Sequence, residues 1–149
     1  MTKPTRIAIS LAPEARQESL SKSKFGTGWA VFRDPANGKY LICERSPTSN
    51  NAGQWGFPGG GVDEGESHVV ATRRECSEEI LVDVPVRMFK PVIGEDETNT
   101  TWYEIFLKIS PKRTEEVSNF KWVFAYELDE YDLHKSVRNY FRALRKHVK

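Results

Sequence analysis

The alternation of apolar and polar positions divides the chain into short strands and two helices. From Gly26 to Phe32 the run is β-branched and aromatic, the turn residues Asp-Pro-Ala-Asn-Gly-Lys follow, and an apolar run resumes from Tyr40 to Cys43. Strand, turn chemistry and strand in that order predict a β-hairpin. After Arg45 the segment Ser-Pro-Thr-Ser-Asn-Asn-Ala-Gly-Gln is a polar loop, and Trp55 to Pro58 leads into the glycines 59 to 61. Residues 84–93 and 102–109 read as strands. The second places Tyr103, Ile105, Leu107 and Ile109 on one face and Trp102, Glu104, Phe106 and Lys108 on the other. The acidic stretch between them, Gly-Glu-Asp-Glu-Thr-Asn-Thr, is expected to turn, and residues 120–124 form a further short strand.

Two segments carry helical spacing. Ser67 is a suitable N-cap for a helix running to about Leu81. At about 100° per residue, Val69, Cys76 and Ile80 share a packing stripe while Glu75, Glu78 and Glu79 fall nearly opposite, facing a cleft. In the tail, Leu133, Val137, Tyr140, Phe141, Leu144 and Val148 are spaced for burial along a second helix. Its basic face, Lys135, Arg138, Arg142, Arg145 and Lys146, reads as a solvated surface in preference to a phosphate or partner site.

Composition narrows the class. A chain of 149 residues with 38% hydrophobic residues suits one domain, residues 1–149, with one sizeable core. The polar stretch before Phe25 is expected as a loop, an arm or an edge strand. Twenty-two Lys and Arg against twenty-one Asp and Glu give a formal net charge of +1, which argues against bulk neutralisation of a polyanion. Stable nucleic-acid binding is therefore not expected. Cys43 and Cys76 lack Cys-x-x-Cys spacing and read as reduced, buried thiols. With no apolar run of signal-peptide or membrane-spanning length, the expected location is the cytoplasm. The Asn-Thr-Thr triplet at 99–101 matches a glycosylation acceptor, without a signal peptide to give it meaning.

The chemistry lies between Gly60 and Val82, Gly-Gly-Val-Asp-Glu-Gly-Glu-Ser-His-Val-Val-Ala-Thr-Arg-Arg-Glu-Cys-Ser-Glu-Glu-Ile-Leu-Val. Three carboxylates at i, i+3 and i+4 repel one another by about a few tenths of a kcal/mol per pair, so a cation should compensate them. Glutamates converging on a glycine-rich backbone offer hard oxygen ligands, which select Mg²⁺ or Mn²⁺ over zinc or copper. Such an ion is commonly shared with substrate phosphates, which points to phosphoryl or pyrophosphoryl chemistry.

This run resembles the Nudix box, G-x5-E-x7-R-E-U-x-E-E-x-G-U with U a bulky apolar residue. Gly60, Glu66, Arg74, Glu75, Glu78, Glu79 and Val82 match it, Cys76 stands at the first U, and Gly53 to Gly60 is similar to the family's usual lead-in. The resemblance implies an α/β fold, a Nudix-type α/β/α sandwich with a mixed sheet, and hydrolysis of a nucleoside diphosphate linked to another group. It also implies that Glu75, Glu78 and Glu79 ligate the metal, helped by a carbonyl near Gly59 or Gly60, with Glu66 as an orienting group or an outer ligand. Arg74 would orient the carboxylates. The catalytic base would be a box glutamate, with Glu75 and Glu79 as candidates, or a loop carboxylate, for which Glu116 is the candidate; Glu115 and Glu116 read equally well as a solvated turn. One departure stands out, because Leu81 occupies the position where the family pattern has a glycine just past the helix. Either the helix runs on through Leu81 or the turn is rebuilt.

For the substrate, an NDP-sugar or similar compound cleaved to nucleoside monophosphate and a phosphorylated remainder stands first. A MutT-like (d)NTP pyrophosphohydrolase releasing pyrophosphate stands second, and a non-catalytic nucleotide-sensing module is the rival from another class. A small-molecule nucleotide is the expected partner, a membrane is not, and a homodimer is compatible with the sequence. Base recognition needs aromatic and polar groups; Trp29, Phe32, Trp102, Tyr103 and Phe106 are the aromatic candidates, most of them reading as core, with Trp29 and Tyr103 taken as substrate contacts, and Arg45 is a candidate phosphate or base contact, read equally well as an exposed loop arginine.

Overall fold

The structure is a computed structural model and describes residues 25–93 and 98–147. The polar segment before Phe25, most of the acidic turn that follows residue 93 and the last two residues, Val148 among them, lie outside the described residues. Among the described residues, seven strands run in chain order: β1 (Thr27–Arg33), β2 (Tyr40–Arg45), β3 (Trp55–Gly56), β4 (Gly59–Gly61), β5 (Lys90–Ile93), β6 (Thr100–Phe106) and β7 (Val117–Val123). Helix α1 (His68–Ile80) follows β4, helix α2 (Lys135–His147) follows β7, and 3-10 turns span Val86–Met88 and Ala125–Glu130.

The strands form one mixed sheet in the order β3-β2-β1-β6-β5, with β4 added to β1 and β7 to β2. The predicted hairpin is present, β1 and β2 being antiparallel with Arg33 opposite Tyr40. The central pair β1 and β6 is parallel, from Thr27 opposite Thr100 to Arg33 opposite Phe106. Period-two alternation then feeds two cores. Ala30, Phe32, Leu41, Cys43, Tyr103 and Ile105 turn to one face with Cys76 and Ile80 of α1. Trp29, Val31, Tyr40, Ile42 and Trp102 turn to the other with Val137 and Tyr140 of α2. The result is the α/β/α sandwich, a mixed sheet with α1 on one side and α2 on the other. Both cysteines are free and buried. No helix among the described residues is long and apolar enough to cross a membrane.

Three element boundaries differ from the sequence reading. The stretch from Val84 is not strand throughout, because Pro85 caps a 3-10 turn and pairing begins only at Lys90. Val84 is apolar because it is buried, not because it is paired. The strand expected over 102–109 starts at Thr100 and stops at Phe106, where its parallel partner β1 ends at Arg33. The strand expected at 120–124 starts earlier, at Val117, through pairing with the end of β2.

Helix α1 ends at Leu81, and neither expected alternative describes how. The helix does not run on and the turn is not rebuilt; Leu81 itself takes the left-handed conformation, φ 56° and ψ 41°, and its amide donates to the Cys76 carbonyl. The side chain is 57% exposed, so it contributes little packing against the strain of a left-handed Cβ. A left-handed turn that a glycine would favour forms here without one. Leu81→Gly should therefore raise stability by about 0.5 to 1 kcal/mol, strain relief outweighing the added freedom of the unfolded chain. Urea unfolding of the two proteins checks this; a lower midpoint for the glycine variant would mean that Leu81 is unstrained.

Candidate metal and active site

Helix α1 is laid down on β1 and β4 by its cap and by two glycines. Ser67 accepts a hydrogen bond from the Val70 amide, fixing the first turn. A Cβ at Gly28 of β1 would stand 2.0 Å from Thr72 Oγ1, which is itself held by donating to the His68 carbonyl at 2.7 Å. No side chain fits between this strand and the helix. At Gly60 of β4 a Cβ would lie 2.7 Å from Glu75 Oε2, so the bare backbone there is what lets the Glu75 carboxylate lie against the strand.

That close approach buries the carboxylates. Glu75 and Glu79 are each 3% exposed, and they lie beside Cys76 and Ile80 at the sheet, not across the helix from the packing stripe. Glu116, the last loop residue before β7, reaches the same point, and one carboxylate oxygen from each of Glu75, Glu79 and Glu116 lies within 4.8 Å of the others. The Gly59 amide donates to Glu79 Oε1 at 3.2 Å, and Arg45 Nη1 stands 3.8 Å from Glu79 Oε2. Burial first, then the neighbouring Glu75 charge, push the Glu79 carboxyl well above the usual carboxylate range, against the opposing pull of Arg45 and the Gly59 amide.

A second cluster frames the first. Arg74 donates from Nε and Nη2 to the two oxygens of Glu66 at 2.7 and 2.9 Å, and to the Gly61 carbonyl at 3.2 Å. Its Nη1 lies 3.4 Å from both Glu75 Oε2 and Glu78 Oε1, and Asp63 stands 3.4 Å from Nη2. Burial opposes the guanidinium charge, but the Glu66 hydrogen bonds and the charges of Glu75, Glu66 and Asp63 outweigh it and hold the proton more firmly than usual. Arg74 is thus fixed on two sides and directed at the carboxylates.

Among the expected ligands, the structure groups Glu75 and Glu79 with Glu116 and holds Glu78 against Arg74 instead. Glu66 lies outside the trio, since both oxygens bind Arg74 and one also accepts from the Asp63 amide. Gly59 presents its amide to Glu79. Trp29 and Tyr103, expected as substrate contacts, lie among the core side chains: Trp29 packs near His134, and Tyr103 meets Phe89 edge-on. The alternation that identified β6 as a strand is what buries Tyr103. Arg45 is only partly exposed and borders the carboxylates, which the sequence left open against an exposed loop arginine. Asp63, Ser46 and Thr114 were missed. Asp63 carries a sequence signal, lying between the glycines and Glu66, while Ser46 and Thr114 join the site only through contacts distant in sequence.

A sequence model of the NUDIX domain matches residues 24–144. The chain belongs to the Nudix hydrolase family. It is a hydrolase of phosphoanhydride bonds, a class that generally uses a divalent metal. It is similar to the nucleoside triphosphatase NudI of Escherichia coli, 30% identical over 123 residues that cover 71% of this chain and 87% of that one. A MutT protein from Methanosarcina mazei superposes with a TM-score of 0.62 at 26% identity, covering 84% of this chain and 96% of that chain. The NUDIX domain of Shewanella oneidensis NrtR, solved with ADP ribose, gives a TM-score of 0.62 over the whole of both chains at 22% identity, a likeness of fold.

The donor set fits the ion that this family uses. Three carboxylates converge, and the nearby Cys43 thiol, its pKa raised by burial and by Glu79, stays protonated and offers no soft ligand. A pH dependence follows. Without an ion, Glu79 holds a proton above the ordinary value of 4.5, so the folded state binds more protons than the unfolded one there. Stability from this group falls as pH rises from about 4.5 through the raised value, and an ion that displaces the proton reverses the loss. The midpoint shift produced by a saturating divalent ion should be larger at about pH 8 than at about pH 5 in thermal or urea unfolding. An equal shift at both would contradict the assignment of Glu79.

Proposed function

We propose that the protein is a Mg²⁺- or Mn²⁺-dependent pyrophosphohydrolase of nucleoside triphosphates, cleaving the anhydride between the α and β phosphates to nucleoside monophosphate and pyrophosphate. The observation that carries the hydrolytic centre is the meeting of Glu75, Glu79 and Glu116. The triphosphate preference rests on the relative named a nucleoside triphosphatase, which aligns over 87% of its own length. This reverses the order of the two substrate readings drawn from sequence, in which an NDP-linked compound stood first.

In this reading Glu75 and Glu79 from α1 and Glu116 from the β7 loop hold the ion. When bound, it neutralises phosphate oxygens and lowers the pKa of an attacking water. Arg74, fixed by Glu66, keeps Glu75 aimed and limits repulsion among the box glutamates. Arg45 lies where β2 enters the polar loop, held by its Nε donating to the Asn50 carbonyl at 3.4 Å, and its outer nitrogens can meet a phosphate oxygen. Glu116 is less buried than the helix pair and is the best placed to accept the proton of water. A silent nucleotide-binding module is the weaker reading, since such a module has no use for three convergent carboxylates.

Glu79→Gln should lower turnover by at least about a hundredfold while leaving ion-free stability unchanged or higher, because a neutral amide replaces a buried acid beside Glu75. Steady-state kinetics and unfolding of the ion-free variant measure both. Product analysis over nucleoside triphosphates and NDP-sugars should find nucleoside monophosphate and pyrophosphate in equal amounts from the former. Efficient turnover of an NDP-sugar alone would overturn the substrate, and near-normal turnover by Glu79→Gln would overturn the site.

A further inference from the structure

Glu116 comes to the site from a loop far along the chain, and its placement needs a physical cause. The last turn of α1 leaves carbonyls without helical partners, as any helix end does. Two of them are taken by the segment that leads to Glu116. The Lys112 amide donates to the Ile80 carbonyl at 2.9 Å, and the Thr114 hydroxyl donates to the Glu79 carbonyl at 2.6 Å. The same hydroxyl accepts from the Glu116 and Val117 amides, each at 3.3 Å, and the Thr114 amide donates to the Val117 carbonyl at 3.0 Å. One donor and two acceptor positions are all that a hydroxyl has, and here each is used. On the far side, Ser46 at the end of β2 donates its amide to the Glu116 carbonyl at 3.0 Å and its hydroxyl to the Glu115 carbonyl.

We propose that Thr114 is a positioning residue whose hydroxyl joins the backbone of Glu79 to the backbone of Glu116 and so sets the spacing of the carboxylate trio. It touches neither substrate nor carboxylate. It acts by closing a short path, Glu79 carbonyl to Thr114 hydroxyl to Glu116 amide, between the two elements that supply the cluster. The aliphatic part of threonine restricts rotation about χ1, which keeps the hydroxyl aimed at three backbone groups at once. The left-handed turn at Leu81 serves the same end by directing the chain away and leaving the Glu79 and Ile80 carbonyls open to the loop. This inference rests on the reading of Glu75, Glu79 and Glu116 as one ligand set.

The test compares Thr114→Val, which keeps the shape and removes the hydroxyl, with Thr114→Ser, which keeps the hydroxyl, and with Glu116→Gln. The readouts are Mn²⁺ affinity without substrate, kcat, KM, melting temperature, and amide exchange at Glu116 and Val117 in the ion-free protein. Thr114→Val should weaken Mn²⁺ binding about tenfold, in the range for residues that orient metal ligands, and lower kcat more than KM changes. Exchange at the two amides should speed up, and Thr114→Ser should restore affinity and kcat. If Thr114→Val does not fold, Thr114→Ala measured against Thr114→Ser decides by the same quantities. Wild-type Mn²⁺ affinity in Thr114→Val or Thr114→Ala, with Glu116→Gln impaired, overturns the positioning role alone. A Glu116→Gln variant with wild-type affinity and turnover overturns the ligand set and the positioning role with it. Loss of melting temperature without loss of Mn²⁺ affinity marks Thr114 as merely structural and also overturns it.

Discussion

Two glutamates one turn apart on a buried helix face are the constraint on which the rest depends. Glu75 and Glu79 repel each other, both are removed from water, and burial and mutual charge drive the proton onto Glu79. A globular domain rarely retains such a pair for stability, because an uncompensated buried charge costs several kcal/mol. The surroundings are built to tolerate it. Gly60 lets Glu75 lie against β4, the Gly59 amide and Arg45 address Glu79, and Arg74, held by Glu66, meets Glu75. The Gly59 amide, Arg45 and Arg74 reduce the repulsion without removing it, and on the proposed reading what remains favours a divalent ion.

The fold can be read as the means of holding this face in place. A strand that approaches a helix as closely as Gly28 approaches Thr72 fixes the helix in translation and rotation, so the carboxylates cannot turn outward to water. The sheet is buried on both sides, with α2 and its aromatic cluster around Tyr140 supporting the strands from below. β1 is central, parallel to β6 and antiparallel to β4, and it carries both the glycine that admits α1 and the alternating residues that divide the two cores.

Much of this was legible in the chain. The N-cap at Ser67, the hairpin, the alternation along β6 and the spacing of Glu66, Arg74, Glu75 and Glu79 are local patterns, and local patterns survive folding. What was not legible depends on contacts between distant segments. Trp29 and Tyr103 resemble stacking surfaces until the sheet is known to be covered on both faces. The left-handed Leu81 could not be chosen from sequence, since a leucine there is disfavoured by backbone strain. Glu116 could be suggested by resemblance, but its meeting with Glu79 depends on hydrogen bonds from Ser46 and Thr114 that no spacing announces. Glu78, grouped by sequence with its neighbours, instead meets Arg74 one turn back on the same helix.

The central claim is that the helix pair and the loop carboxylate form one ion site. Anomalous scattering from crystals soaked in Mn²⁺ tests it most directly. The account predicts a peak at ligand distance, about 2.0 to 2.3 Å, from carboxylate oxygens of Glu75, Glu79 and Glu116. A fully occupied ion bound instead at Glu66 and Asp63, with none at the trio, would contradict it.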